Sequence, residues 1–145
     1  MILCDTEKTD PNLLLDAKKI IKSLGMSIKT MNSKEHDKYI AYVSHLSHIS
    51  SFMLGKTVMD KEDDEHAIYN MAGSGFESTV RLAKSSPEMW SSIFVENKKN
   101  IIESLDEYIS NINNFKKLIE GSDQKTLNDE MRRINGIKKI LKGIN

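Results

Sequence analysis

Apolar side chains recur at alternating gaps of three and four residues along the stretch that follows Pro87. The positions are Phe94, Ile101, Leu105, Tyr108, Ile112, Phe115 and Ile119, with Lys98 filling the one missing place. Such spacing puts the side chains in one stripe along an α-helix, which is a seam for another helix. Pro87 suits a first helical turn, and Gly121 ends the pattern. The stripe therefore predicts one long helix, residues 87–120, about 50 Å long if it is unbroken.

A helix of that length is hard to cover with the few remaining helices of a 145-residue chain. The stretch after Gly121 returns as a second helix with its own apolar side. That side is formed by Leu127, Met131, Ile134, Ile137 and Leu141. We therefore predict a homodimer packed through the long helix, residues 87–120. An intrachain bundle core is the alternative interpretation of the same stripe.

The composition excludes several classes of partner. Basic and acidic residues balance at 21 each, and no Lys/Arg block forms an arm that binds phosphate. No stretch reaches the roughly 18 apolar residues of a membrane span. The single Cys4 excludes an internal disulfide and a thiolate zinc site, and the N-terminal stretch lacks the order of a signal peptide. We predict a cytoplasmic protein of one-domain size, with neither nucleic acid nor a membrane as partner.

The first 31 residues have the pattern of a strand, a helix and a second strand. Asp10 can cap the helix, Pro11 suits its first turn, and Gly25 suits its C-terminal end. Parallel strands joined in this way need a larger sheet, because two strands alone are not independently stable. Residues 1–31 are therefore interpreted as the C-terminal remnant of a larger α/β domain.

The pattern is helical from Ser33 onward. Ser33 is the predicted N-cap of a helix that reaches at least Lys56, and the acidic stretch DKEDDE is predicted to end it. A short helix is predicted near residues 77–84. The predicted fold class is mainly α: a helical dimerisation domain, residues 32–145, with one long helix, preceded by a short β-α-β remnant.

Two histidines, His45 and His48, lie three residues apart in the apolar stretch SHLSHISSF. On a straight helix they are about 60° apart, whereas His36 lies about 180° from His45. A three-histidine metal cage on this helix is therefore excluded, and metal-dependent hydrolysis is a remote alternative. His66, beside an acidic run, is interpreted as a surface residue. His45 and His48 are either buried and bonded to nearby backbone, or a polar spot that donates hydrogen bonds to an anionic ligand.

Arg81 falls among apolar residues on the short helix that follows a glycine-containing turn. A guanidinium there either pairs with Glu77 at helical spacing or remains available for a carboxylate. Trp90, the only tryptophan, stands at the start of the long helix, where a core or interface aromatic is the ordinary interpretation.

The segments SKEHDKYIAYVSHLSH and GSGFESTVRLAKSSPEMWSSIFVENKKNIIESLDEYI resemble the C-terminal part of the prephenate dehydrogenase family. The opening ILCDTEKTDPNLLLDAKKIIKSLGMSIKTM is similar to the last strand, helix and strand of that family's nucleotide-binding domain. The spaced set EHD, SHLxH, GF followed by TxR, and SxPEMW is more specific than any of its parts. Ser47, Ser74 and the pair Cys4-Asp5 depart from the family pattern, which usually has proline, glycine and Thr-Pro there.

The resemblance implies oxidative decarboxylation of prephenate, or of its amino analogue arogenate, with NAD or NADP as the cofactor. It implies that His48 hydrogen-bonds the substrate and that Arg81 pairs with one of its carboxylates. Trp90 is then expected to approach the active site of the partner subunit. Ser74 is expected in a turn whose backbone lies beside the ligand, and His45 is expected to support the same region.

The resemblance also implies what the chain lacks. A Rossmann-type nucleotide-binding domain opens with a GxGxxG loop that binds phosphate, and no such motif occurs here. The family's catalytic histidine also belongs to that domain. We therefore predict no catalytic, cofactor-binding or metal-binding residue in this chain, which alone should neither bind the dinucleotide nor turn over prephenate. It is interpreted as a fragment or a truncated reading frame. The alternative function is a stand-alone all-α dimer or a tyrosine-sensing module without catalysis.

Overall fold

The computed structural model describes residues 1–65, 67–121 and 123–142. The chain divides into two compact units, Met1–Ser104 and Leu105–Asn145. His66, interpreted above as a surface residue, lies outside the described residues. Among the described residues, no helix has both the length and the apolar character needed to cross a membrane.

The N-terminal part of the first unit is the predicted strand, helix and strand. Its elements are β1 (Ile2–Cys4), α1 (Pro11–Ser23) and β2 (Lys29–Met31). The two strands pair in parallel, with Leu3 opposite Thr30. Asp10 caps α1 by accepting two backbone N–H hydrogen bonds, and Gly25 takes the positive φ of 74° that ends the helix. The sequence prediction of this element order is confirmed.

Asp5 joins the end of β1 to the helical part. Its carboxylate accepts hydrogen bonds from the Ser33 backbone N–H at 2.9 Å and from the Ser33 hydroxyl at 2.7 Å. These bonds, together with one from Lys8, lower the pKa of Asp5 to about 2. The predicted division of the chain between residues 31 and 32 stays a prediction, and the strands belong to the same compact unit as the helices up to Ser104.

The second helical stretch passes Lys56, as predicted, and reaches Glu65. It consists of α2 (Ser33–Ile40), a π-helical turn (Ala41–His45) and α3 (Leu46–Glu65). Asn32 is the N-cap, and Ser33, the predicted cap, is the first helical residue. The prediction that the acidic stretch ends the helix was also wrong. The whole stretch is helical, and its first residue, Asp60, pairs with Lys56 one turn earlier in α3.

The predicted helix 87–120 is interrupted once. The elements after α3 are a 3₁₀ turn (Tyr69–Met71), α4 (Ser74–Val80), a second 3₁₀ turn (Arg81–Lys84), α5 (Pro87–Glu96) and α6 (Lys98–Glu120). Asn97 separates α5 from α6, with a backbone φ of −103° and ψ of 23°. Its side-chain amide donates to the Asp37 carbonyl at 2.7 Å, a distant contact that no local pattern signals. The longest helix, α6, is therefore about 35 Å long.

The two units differ in burial. The first unit contains the buried apolar residues Ala41, Trp90 and Ile101. The second unit consists of the last part of α6, α7 (Gln124–Ile134), a 3₁₀ turn (Asn135–Ile137) and α8 (Lys138–Leu141). None of its described residues is buried. The buried core, which can hold side chains in fixed positions, therefore lies in the first unit.

Candidate functional site

Trp90, near the start of α5, is the centre of the site. Its indole stacks on the His48 imidazole, with ring centroids 3.5 Å apart and planes 25° apart. His45 meets the same indole edge-on, at 5.9 Å between centroids and 80° between planes. Only 7 % of Trp90 is exposed. The structure thus brings Trp90 together with the histidine pair, which the sequence analysis treated apart from it.

His48 has one ring nitrogen committed to the backbone. Its Nδ1 lies 3.0 Å from the Ser44 carbonyl oxygen, and because a carbonyl only accepts, Nδ1 carries the proton. The neutral ring therefore offers Nε2 as an acceptor, suited to a ligand hydroxyl. Donation to a carboxylate requires the protonated imidazolium. The predicted polar spot is thus also an acceptor, which the sequence interpretation did not specify.

His45 is held in the opposite tautomer by Asn97. The Asn97 amide nitrogen donates to the Asp37 carbonyl and lies 3.3 Å from His45 Nδ1, which accepts. Asn100 donates to the Asn97 side-chain oxygen at 2.7 Å and fixes which end of the amide faces the ring. His45 consequently carries its proton on Nε2 when neutral. Burial lowers the pKa of His45, which favours that neutral form.

The π-helical turn changes which histidines share a side. A straight-helix projection put His36 opposite His45, and that prediction was wrong. His36, Asp37 and His45 line one surface depression of about 440 Å³, together with Asn97. The wider turn at Ala41–His45 shifts the angular phase between α2 and α3. Within the described part of the chain, no group of three or more histidine, cysteine or acidic side chains could hold a metal ion.

Arg81 begins the 3₁₀ turn that follows α4, and its side chain is exposed. Glu77, the partner considered from sequence, instead lies 3.7 Å from Lys84. Among the described residues, Arg81 has no carboxylate partner. Ser51 on α3, one turn after His48, donates to the Thr79 carbonyl at 3.1 Å. The backbone that carries Arg81 is therefore anchored one helical turn from His48.

Ser74 is the first residue of α4 and is exposed. Gly73 precedes it as the cap residue, with no side-chain hydrogen bond to the helix start. Within the described residues, no hydrogen bond joins Ser74 to either histidine. Its place beside a ligand stays a prediction, as do the ligand contacts of the other four residues.

A family model described as the dimerization domain of prephenate dehydrogenase matches residues 32–133. This range includes His45, His48, Arg81 and Trp90. The chain belongs to the prephenate dehydrogenase dimerization-domain family. The sequence-based recognition of this family is confirmed.

Solved and curated relatives agree with this assignment. The prephenate dehydrogenase of Bacillus subtilis (strain 168) is 30 % identical over 126 residues, which make up 87 % of this chain and 34 % of the relative. A crystal structure of prephenate dehydrogenase from A. aeolicus in complex with hydroxyphenyl propionate and NAD+ has a TM-score of 0.85 and 32 % identity. It covers 96 % of this chain, which corresponds to 48 % of that protein. Synechocystis arogenate dehydrogenase has a TM-score of 0.81 and 26 % identity. The match covers 97 % of this chain and 51 % of the Synechocystis chain.

The chain spans about a third of the curated relative and about half of the solved relatives that it matches. The residues present do not fit a dinucleotide. No glycine-rich phosphate loop occurs in the sequence, and the described sheet has two strands of three residues each. The predicted mainly helical fold with a small β remnant is confirmed by the structure and by its similarity to these relatives.

Sequence reasoning missed Ser51, which bonds to the Thr79 carbonyl, and Asn97, which bonds to His45. Both are common polar residues without a motif, so neither drew notice. Ser51 and Gly55 are small residues one turn apart, and that spacing is a signal for the close approach of another element. The Gly55 position lies 4.0 Å from the Ala83 side chain, measured from an ideal Cβ.

Proposed function

We propose that this chain is the substrate-binding and dimer-forming part of a prephenate dehydrogenase, an NAD- or NADP-dependent oxidoreductase of tyrosine biosynthesis. The reaction is the oxidative decarboxylation of prephenate to 4-hydroxyphenylpyruvate. A hydride leaves the ring carbon that bears the hydroxyl, and loss of carbon dioxide makes the ring aromatic. A cytoplasmic location is part of the proposal.

The observation that carries the proposal is an unpaired guanidinium anchored near a histidine with an available nitrogen. Arg81 has no carboxylate partner among the described residues, and a carboxylate is the ligand that a guanidinium binds best. His48 offers Nε2 while Trp90 covers one face of its ring. A small molecule with a carboxylate and a hydroxyl satisfies both groups. Prephenate and arogenate each have both.

Each residue has a binding or positioning role in this proposal. Arg81 binds a substrate carboxylate, and His48 hydrogen-bonds the substrate at Nε2. Trp90 holds the His48 ring in place and, in the dimer, lies near the partner subunit's active site. His45 supports that arrangement, and Ser74 brings the backbone at the start of α4 beside the ligand. None of these residues is assigned a catalytic proton transfer, and the nicotinamide cofactor supplies hydride acceptance when it is bound to the nucleotide-binding part of such an enzyme.

We further propose that the chain forms a homodimer through α5 and α6. Large apolar side chains remain exposed on α6, among them Ile102, Ile109, Ile112 and Ile119, each 47–56 % exposed. Exposed apolar stripes on long helices usually mark protein–protein contacts. A family of dimerization domains makes a second copy of this chain the expected partner.

An NMR titration tests the proposed ligand. We expect prephenate, and hydroxyphenyl propionate as a stable probe, to shift the imidazole nitrogen signals of His48 and the indole N–H signal of Trp90. NAD+ should shift neither. Comparing prephenate with arogenate then shows whether the pocket prefers the keto or the amino side chain. Shifts caused by tyrosine but by neither substrate would favour the tyrosine-sensing alternative and contradict the proposal.

A further inference from the structure

The Ser51 side chain makes two hydrogen bonds to the backbone on either side of Arg81. Its hydroxyl donates to the Thr79 carbonyl at 3.1 Å and accepts from the Ala83 backbone N–H at 3.1 Å. In a continuing α-helix, the Ala83 N–H would donate directly to the Thr79 carbonyl four residues earlier. The Ser51 hydroxyl therefore bridges the two ends of a helical hydrogen bond.

The change of helix type occurs between those two ends. The α-helix α4 ends at Val80, and the tighter 3₁₀ turn begins at Arg81. A side chain inserted into the hydrogen-bond ladder is a known cause of such local distortion. A 3₁₀ turn rotates the chain by about 120° per residue instead of about 100°, so the change of helix type re-aims the residues that follow. Arg81 is the first of them.

Ser51 is well placed to hold this geometry. Only 2 % of it is exposed, and both hydrogen-bonding functions of its hydroxyl are used within the chain. It lies three residues after His48 on the same helix, so the two side chains point from one side of α3. The small residues Gly55 and Ala83 let the 3₁₀ turn approach the helix closely.

We infer that Ser51 is a positioning residue that sets the direction of Arg81 relative to His48 by bridging Thr79 and Ala83. This inference rests on the proposed function for its ligand, and on the structure alone for its effect on the helix. Without the hydroxyl, the Ala83 N–H and the Thr79 carbonyl pair directly, α4 continues as an α-helix, and the guanidinium moves away from the substrate carboxylate.

The first test needs no ligand. In Ser51→Ala, the backbone ¹³C chemical shifts of residues 81–84 should move towards α-helical values. The matched control is Ser104→Ala, since Ser104 is 1 % exposed and its hydroxyl donates to the Ile101 carbonyl of its own helix. Both variants should lose similar thermal stability. Unchanged shifts at residues 81–84 in a folded Ser51→Ala chain would overturn the inference.

The second test is a double-mutant cycle measured by calorimetric titration with prephenate. Ser51→Ala should weaken binding by about five- to tenfold, and Ser104→Ala by less than about twofold. The double variant Ser51→Ala with Arg81→Ala should bind no more weakly than Arg81→Ala alone, because Ser51 acts through Arg81. Additive losses would overturn the inference while leaving the ligand assignment intact. Absence of an effect from Arg81→Ala would contradict the proposed function instead, and the ¹³C shifts would then decide the role of Ser51.

Discussion

The two compact units of this chain use similar helices for different purposes. In the first, residues from α3, α4 and α5 bury Trp90 and Ser51 and fix two histidine tautomers through named hydrogen bonds. In the second, every described side chain remains at least partly exposed. Burial is what makes an orientation specific, since a buried polar group must find its partner.

The difference in burial indicates which unit is suited to ligand binding and which to assembly. A ligand site needs fixed donors and acceptors, and the first unit has them. The second unit has an open groove of about 540 Å³, lined by Tyr108, Ile112, Phe115 and Ile134 among others. Apolar surface of this kind is stabilised by a partner that covers it. We therefore expect substitutions in the first unit to change folding and ligand binding, and substitutions in the second to change assembly.

The largest expected effect comes from Trp90→Ala. Removing an indole that is 7 % exposed and packed on His48, His45 and Phe94 should lower the free energy of unfolding by about 3–5 kcal/mol. Phe115→Ala in the second unit is the matched aromatic truncation and should cost clearly less, because Phe115 is only half-buried. Urea titrations followed by circular dichroism measure both. Equal losses would break the contrast between the units.

The next effect concerns assembly. Ile112 is 49 % exposed on α6, so Ile112→Asp should raise the dimer dissociation constant about tenfold or more by placing a charge in an apolar contact. Asn113→Asp adds the same charge at the neighbouring exposed residue and serves as the control. Sedimentation equilibrium at several protein concentrations measures both constants. A chain that remains monomeric at high concentration would contradict the dimer.

A smaller, more local effect should follow from Asn97→Asp. A carboxylate at this position accepts where the amide donates, so His45 should move its proton to Nδ1 and its pKa should rise. In the unchanged chain, burial lowers the pKa of His45 below 6.5, so the unfolded chain takes up protons first and stability falls as the pH drops below about 6.5. The variant should weaken this dependence.

Imidazole ¹⁵N shifts recorded across pH 4–8 report both the tautomer and the pKa of His45. Asn113→Asp, far along the sequence from His45, again controls for the added charge. If the His45 tautomer is the same in Asn97→Asp as in the unchanged chain, Asn97 does not set it.

The smallest effect is at the junction of β1 and α2. The pKa of Asp5 is about 2, below its usual 3.8, so the ionised carboxylate stabilises the fold above about pH 4, and this contribution is lost as the pH falls towards 2. Asp5→Asn should therefore be less stable than the unchanged chain at pH 7, with a difference that shrinks below pH 4. Thermal unfolding across that range measures it. Asp16→Asn removes an exposed charge on α1 and is the control.

Local signals in the sequence predicted much of the fold. Asp10, Pro11 and Gly25 mark the ends of α1 because capping, ring geometry and positive φ are properties of single residues. The apolar stripe likewise predicted the helices on either side of Asn97. The interruption at Asn97 was not predicted. The Asn97 side chain there donates to the Asp37 carbonyl, a contact distant in sequence that no local pattern signals.

The candidate site was predictable in part for the same reason. His48, Arg81 and Trp90 stand out by residue type and by resemblance to a family. The hydrogen bonds around them were not predictable. Ser51 bonds to the backbone next to Arg81, and Asn97 bonds to His45, and both contacts depend on which helices meet. The π-helical turn shows the limit most clearly, since a straight-helix projection puts His36 and His45 on opposite sides whereas both line one surface depression.

The most direct measurement is the affinity of the chain for prephenate by isothermal titration calorimetry, compared between Arg81→Ala and Lys84→Ala. Both variants remove one cation from the same 3₁₀ turn, but Lys84 pairs with Glu77 whereas Arg81 has no carboxylate partner among the described residues. We predict at least about a tenfold loss for Arg81→Ala and less than about a twofold change for Lys84→Ala. Equal affinity in the two variants would contradict the assignment of Arg81 as the carboxylate-binding residue.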